Sequence, residues 1–256
     1  PELRPPGIKA SMRFWWRALH GHLSLNELRV QEAKIFGSTE GRSKLLIRVE
    51  EEIGAETIKQ SILPHKGGSI ASTFPMNKTF KIRLDCKSAQ TEILKNLFIL
   101  ACTLGGWGKR SRRGFGSVAV TEINTLEYAS PTTIDAIHSC IEKVVGTGKF
   151  NFTESKITTV ANTKNSNDEY PRLLEIQIGK VPKTLQNIGQ ATHDVKFNAS
   201  DKLDYSNSLG DGRPRLASPV YVSLLPNGLP VISTLKKQAR VNLDLQNELK
   251  SKILNP

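Results

Sequence analysis

Between Gly105 and Gly116 the chain reads GGWGKRSRRGFG, with five glycines, four cations (Lys109, Arg110, Arg112 and Arg113) and no acid. Glycine lets a backbone adopt positive φ and approach a ligand closely. Successive N–H groups in such turns form nests for anions. Arginine adds planar, charge-assisted donors that suit phosphate oxygens. Trp107 and Phe115 have two uses here, stacking on bases or pinning the loop to a core. The GxxxxGK[ST] order of a Walker A loop is absent, because Lys109 is followed by Arg110. A dinucleotide fingerprint follows a strand and opens a helix, whereas this segment follows a helical pattern and precedes an alternating one. The best fit is a site for a polyanion backbone in which Gly105 and Gly106 open the loop. The competing use is a solvated glycine turn with incidental charge.

Other cations are placed to extend such a site. Lys9, Arg13 and Arg17 recur at i, i+4 and i+8, a stripe along one edge of a helix. Trp15 and Trp16 point in different directions on that helix, so at most one is open for base stacking; core packing is the commoner use of such rings. Lys66 follows His65 in the loop Leu63-Pro64-His65-Lys66-Gly67-Gly68, and Arg213 and Arg215 offer a second basic contact. His20 and His22 are two apart and do not share a helix face, which argues against joint metal ligation. Either one alone suits general acid–base chemistry on RNA, since histidine titrates near neutrality. No Ser/His/Asp set or paired carboxylates stand out, and Asp211 reads as a turn former. The expectation is therefore a noncatalytic binding site with no metal and no cofactor.

The composition agrees with a polyanionic partner. The 256 residues carry a formal net charge of +12. Residues 1–128 hold 20 Lys and Arg against 12 Asp and Glu (net +8), and residues 129–256 hold 16 against 12 (net +4), so the first half is the expected polyanion face. Cys86, Cys102 and Cys140 include no CxxC pair, which fits a reducing cytoplasm. The longest apolar stretch, Ile93 to Leu104, contains Lys95 and Asn96 and is too short to span a bilayer. A soluble cytoplasmic protein without membrane contact is expected.

The elements that must hold these residues follow from periodicity. Pro5-Pro6 opens a helix in which Ile8, Met12, Trp15, Trp16, Leu19 and Leu23 recur at helical spacing. Lys44 to Val49 reads as a strand, and Glu50-Glu51-Glu52 as a solvated turn. Phe80, Ile82 and Leu84 alternate with polar residues as in a half-buried strand. A helix over 93–104 stops at Gly105-Gly106, and Val118 to Ile123 is a strand. With one further strand ahead of Pro1, this order becomes βαββαβ. Beyond it, 131–145 is helical, Leu173 to Ile178 is a strand, Val220 to Leu225 and Pro230 to Thr234 form a hairpin, and Leu243 to Leu254 is a helix. The polar stretch 149–171 reads as a mobile segment. The fold class is α+β, with an N-terminal domain over 1–128 and a C-terminal one over 129–256.

ELRPPGIK from Glu2, RFWWRAL from Arg13, Phe36-Gly37-Ser38, LPHK and the glycine loop occur in an order that resembles the RAMP superfamily of CRISPR effector proteins. The pattern is most similar to the subunit-one members of Cmr, or type III-B, RNA-targeting complexes. The strong resemblance covers residues 2–123; Arg213 to Pro219 adds a second segment. It implies two ferredoxin-like (RRM-like) domains, the first without its initial strand in the present sequence. It also implies guide RNA, target RNA and other Cmr subunits as partners, a position near the guide's 3′ end, and cleavage by neighbouring subunits. Carried onto matching positions, it makes Lys9, Arg13, Trp16, Arg17, Lys109, Arg110, Arg112 and Arg113 RNA-site candidates. The rival is a RAMP-type, metal-independent endoribonuclease that processes guide precursors through His20 or His22.

Overall fold

The computed structural model describes residues 2–53, 57–76, 78–160, 169–212, 216–236 and 240–255. The chain begins with helix α1 (Pro5–Leu19), whose Pro5-Pro6 start uses a residue with no N–H where none is needed. α1 buries Ile8, Met12, Trp15, Trp16, Ala18 and Leu19 on one side. Helix α2 (Leu25–Phe36) follows, started by a capping box in which Ser24 and Glu27 satisfy each other's backbone N–H groups.

Strand β1 (Leu46–Ile53) comes next, then the hairpin β2 (Ile58–Leu63) and β3 (Gly68–Thr73), then β4 (Thr79–Asp85). β1 pairs antiparallel with β4, and among the described residues β2 pairs with β3 alone. Glu50 to Glu52 lie inside β1 rather than in a turn, because β4 and the residue before it present opposite charge. Glu51 is in register with Lys81, while Glu50 and Glu52 reach Arg83 and Lys78 at 3.7 and 3.4 Å.

Helix α3 (Thr91–Leu104) leads through the glycine loop to a two-residue hairpin, β5 (Glu122–Ile123) and β6 (Leu126–Glu127). The strand expected over 118–123 is therefore confined to its last two residues. Its earlier backbone is satisfied instead by Ser130, whose Oγ accepts from Val120 N at 2.7 Å and donates to Val120 O at 2.9 Å.

The remaining elements are α4 (Ile134–Val145), β7 (Phe150–Phe152), β8 (Lys156–Thr159), β9 (Arg172–Ile178), α5 (Leu185–Asn198), α6 (Lys202–Leu209), β10 (Val220–Leu224), β11 (Pro230–Lys236) and α7 (Leu243–Leu254). Their strands form a five-stranded antiparallel sheet in the order β10-β11-β9-β8-β7. The polar segment near 149–171 thus contributes two strands; residues 161–168 of it lie outside the described residues.

This sheet is covered on both faces. Val220, Val222 and Ile232 point to a core shared with α5, α6 and α7. Tyr221, Val231, Leu235, Leu173, Ile176 and Ile157 point to the other side, into the cluster built by α1, α3 and α4. Burial on both faces explains why β10 and β11 read as apolar and small residues with no polar alternation. The fold class is accordingly a mixed α+β arrangement with antiparallel sheets. Among the described residues no helix is long and apolar enough to cross a membrane.

His20 caps α1 from inside this packing. It is buried, stacks on Trp16 at a centroid distance of 4.0 Å, and its Nδ1 lies 2.7 Å from Trp16 O, the geometry of a neutral ring donating there. Burial, the largest cause, pushes its pKa down to about 4, with His22 acting in the same direction against the Trp16 hydrogen bond. In the unfolded chain the ring titrates near the ordinary histidine value, about 6.5. Below that pH the unfolded state takes up a proton that the native state refuses, so stability falls as pH drops from about 6.5 to about 4. Denaturant titrations across this window should show a loss of about 3 kcal/mol attributable to this group, and His20→Gln should flatten that part of the profile.

Candidate nucleic-acid interface

The glycine loop is closed on itself before it faces anything else. Trp107 N donates to Gly116 O at 3.0 Å, and Gly116 has φ +68°. A Cβ at Gly116 would lie 2.0 Å from Trp107 O, and one at Gly105 would lie 2.6 Å from the Trp15 indole nitrogen. A Cβ at Gly106 would meet Phe115 O at 2.8 Å. These glycines are required by packing of the loop on α1 and on itself. That role differs from the open anion nest expected of Gly105 and Gly106.

The loop's two C-terminal arginines turn inward. After Arg110, at φ +59°, Ser111–Arg113 makes a single tight turn, and Gly114 N donates to Val222 O at 2.8 Å. Arg113 is only 8% exposed. Its Nη1 donates to Val220 O at 2.9 Å, and its Nη2 donates to Leu209 O at 2.8 Å and Ser218 Oγ at 3.2 Å. Burial, the largest cause, lowers its pKa to about 10. Arg112 donates from Nη1 to Ser218 O at 2.5 Å, and its guanidinium lies 4.5 Å from the Tyr221 ring centroid. Arg112 and Arg113, expected as phosphate contacts, are instead fastened to β10 and the segment leading into it. Arginine donors fit a row of carbonyl oxygens as well as they fit phosphate, and sequence does not distinguish the two.

The stripe on α1 is diverted in the same way. Arg13 and Arg17 both pair with Glu32 of α2, which is 3% exposed; Arg17 Nη2 reaches its Oε1 at 2.6 Å. Arg17 also lies 4.4 Å over the Tyr170 ring, and its pKa is raised, chiefly by the hydrogen bond to Glu32. Trp16 is 2% exposed, so its ring has no face for a base; this corrects its place among the expected RNA-site residues. Lys9 is half-buried, with Nζ 3.4 Å from Leu45 O, and burial followed by Arg13 lowers its pKa. Burial and the bond to Trp16 O likewise keep the His20 ring from a substrate. His22 is half-buried, with its pKa lowered by burial and then by Lys149. Arg213 and Arg215 lie outside the described residues.

What stays outward is a smaller set. Lys109 and Lys66 are exposed, whereas Arg110 is half-buried, its Nε buried without a hydrogen-bond partner among the described residues. Lys66 and His65 sit at the tip of the β2–β3 hairpin. The His65 pKa is lowered by burial first, then by the neighbouring charges of His193, Arg110 and Lys66. The His65 ring stacks on His193 of α5 at 5.4 Å, and a Cβ at Gly114 would lie 3.0 Å from Leu185 and Ile188 of the same helix, so the hairpin tip and the glycine loop both pack on α5. The ring of His65 rests on α5 where Gly189 offers no side chain; a Cβ there would be 2.6 Å from His65 Nδ1. Sequence reasoning found the loop and the hairpin tip but missed α5. The capping box of Thr184 and Asn187 marks that helix's start. The patch is a convergence of cations with imidazole rings, suited to phosphate contact from the cations and ring stacking from the imidazoles.

Comparison with known proteins gives this geometry a family context. The model of the RAMP superfamily matches residues 1–119, close to the stretch on which the sequence resemblance rests. The Cmr1-1 subunit of the CRISPR Cmr system of Pyrococcus furiosus is 31% identical over 170 residues, 57% of this chain and 50% of that protein. The Cmr1-2 subunit of the same organism is 26% identical over 166 residues, 49% of this chain and 87% of that protein. The chain thus spans half the length of Cmr1-1. In fold, it is similar to the crystal structure of apo Cmr1 from Pyrococcus furiosus, with a TM-score of 0.61 and 18% identity, over 99% of this chain and 90% of that one. A chain from the type III-B Cmr-beta complex bound to cognate target RNA and AMPPnP gives 0.54 and 10% identity, over 98% and 92%.

Removing the Arg113 donors takes a partner from Leu209 O and Arg112 O, each at a cost of about 1–3 kcal/mol, while Val220 O keeps Ser218 Oγ at 2.9 Å. Arg113→Met should lower unfolding stability by about 3 kcal/mol, measured by denaturant titration, a larger loss than any surface cation produces.

Proposed function

From a chain whose residues 1–119 match the RAMP superfamily, with Cmr subunits as relatives, we propose an RNA-binding subunit of a cytoplasmic type III-B Cmr complex in antiviral defence. It holds guide RNA near its 3′ end, or the target RNA paired with it, through backbone phosphates. Other subunits carry out cleavage. The observation that carries this reading is a pair of exposed cations, Lys66 at the hairpin tip and Lys109 in the glycine loop, on two segments that both pack against α5. Phosphate contacts set the position of a strand, and guide–target pairing reads its sequence.

The architecture is read here as two ferredoxin-like halves that divide near residue 128. In the first, α1, β1, β4 and α3 supply the inner αββα of a βαββαβ unit, with the β2–β3 hairpin inserted. In the second, β9, α5, β10, β11 and α7 run in βαββα order, with α6 as an addition after α5. β8 lies beside β9 where a closing strand would stand. The loop stapled by Arg112 and Arg113 joins the halves and fixes where Lys109 and Arg110 emerge.

The test is RNA binding by the full chain across a salt series. Binding should be weakly sequence-selective and should weaken as salt rises. The folded double variant Lys66→Ala/Lys109→Ala should bind several-fold more weakly to every sequence, and the slope of log K against log salt should shrink by about 1–2. Unchanged affinity and slope in this variant would overturn the reading.

A further inference from the structure

The patch around His65 continues along α5 as a row of rings. His65 and His193 have centroids 5.4 Å apart with planes inclined by 29°, and His193 and Phe197 follow at 6.3 Å and 47°. His193 and Phe197 are four residues apart and share one helix face. Phe197 is 82% exposed, an unusual position for a large ring. Beside these rings lies an open cavity of about 370 Å³, bounded by Gln190, His193, Asp194, Phe197, Asn198 and Lys252. Gln190 Nε2 donates to Asp194 Oδ1 at 2.6 Å, which fixes both groups at the rim.

These features match the separate needs of a nucleotide. The rings offer faces to a base, and stacking of this kind tolerates any sequence. Asp194, Gln190 and Asn198 offer acceptors and donors at the height of a base edge or a ribose hydroxyl. Lys252 on the cavity rim and Lys66 and Arg110 near His65 supply positive charge for the adjoining phosphates. The Asp194 carboxylate repels phosphate, so it sets the polarity: base toward Asp194, backbone toward the cations. Burial and the positive groups around His65 lower its pKa, against a raising effect of Asp194.

We propose that the His193–Phe197 face of α5 is a stacking site for an unpaired nucleotide of a bound RNA strand. The site rests on the RNA-binding reading and deepens it. A base paired within a duplex cannot reach it, so it engages an RNA segment outside the guide–target helix.

The test uses the full chain, a single-stranded RNA carrying 2-aminopurine, and a blunt duplex of the same RNA. Phe197→Ala should lower the ratio of single-strand to duplex affinity about tenfold and abolish the fluorescence quenching that reports stacking. Phe197→Trp should restore both. A ratio within about twofold of wild type in Phe197→Ala, while Lys66→Ala/Lys109→Ala still weakens both ligands, would sink the stacking site and leave the phosphate reading standing. If the wild-type chain binds neither RNA, both readings fail. Intact RNA binding with lost capture of a Cmr subunit by Phe197→Ala would identify the ring as a protein contact and overturn the proposal.

Discussion

The guanidinium of Arg113 is the contact on which the arrangement depends. It is buried where β10 begins, and it satisfies carbonyl oxygens from Val220 and from Leu209 at the end of α6. A charge this far from water is tolerated only when its donors are all directed at acceptors. The requirement fixes the tight turn before it, the left-handed Gly114 after it and the approach of β10 to the end of α3. The last of these is reinforced by Ser223 Oγ donating to Thr103 O and by Ser117 Oγ accepting from Leu224 N. The glycine loop is therefore a structural joint first, and its outward cations are displayed by that joint.

Much of the fold was legible where a single physical demand dominates the residues. β4 alternates because one face is wet, α3 is apolar at nearly every turn because it is buried, and α7 begins and ends where its caps lie. The misses fall where demands compete. α2 and α5 carry weak apolar stripes, since Glu32 and Gly189 occupy inward positions for reasons that involve other elements. β7 and β8 are short and polar, and they exist because β9 offers an edge to pair with. The three glutamates of β1 look like a turn until the cations of β4 are set beside them.

The site was legible in composition and illegible in direction. The glycines, cations and hairpin tip were all identified, yet four of the arginines proved to be spoken for: Arg13 and Arg17 by Glu32, Arg112 and Arg113 by backbone oxygens near β10. Only tertiary structure decides whether a guanidinium turns toward a carbonyl or toward solvent. The rings of α5 left no mark of their own, because a histidine and a phenylalanine four apart on a helix are ordinary core residues in any sequence. Phe197 becomes informative only once its exposure is known.

The seat of His65 on Gly189 ties a hairpin of the first half to a helix of the second. Among the described residues the β2–β3 hairpin is a two-stranded sheet of its own, and a two-stranded ribbon alone is marginally stable in water. Its far end is held by one imidazole set against a bare stretch of helix backbone. A bulkier residue at position 189 expels that ring, and a smaller one at position 65 leaves the helix uncovered. The two positions lie in opposite halves of the chain, yet substitutions at them are coupled through this contact, so a change at one alters the cost of a change at the other.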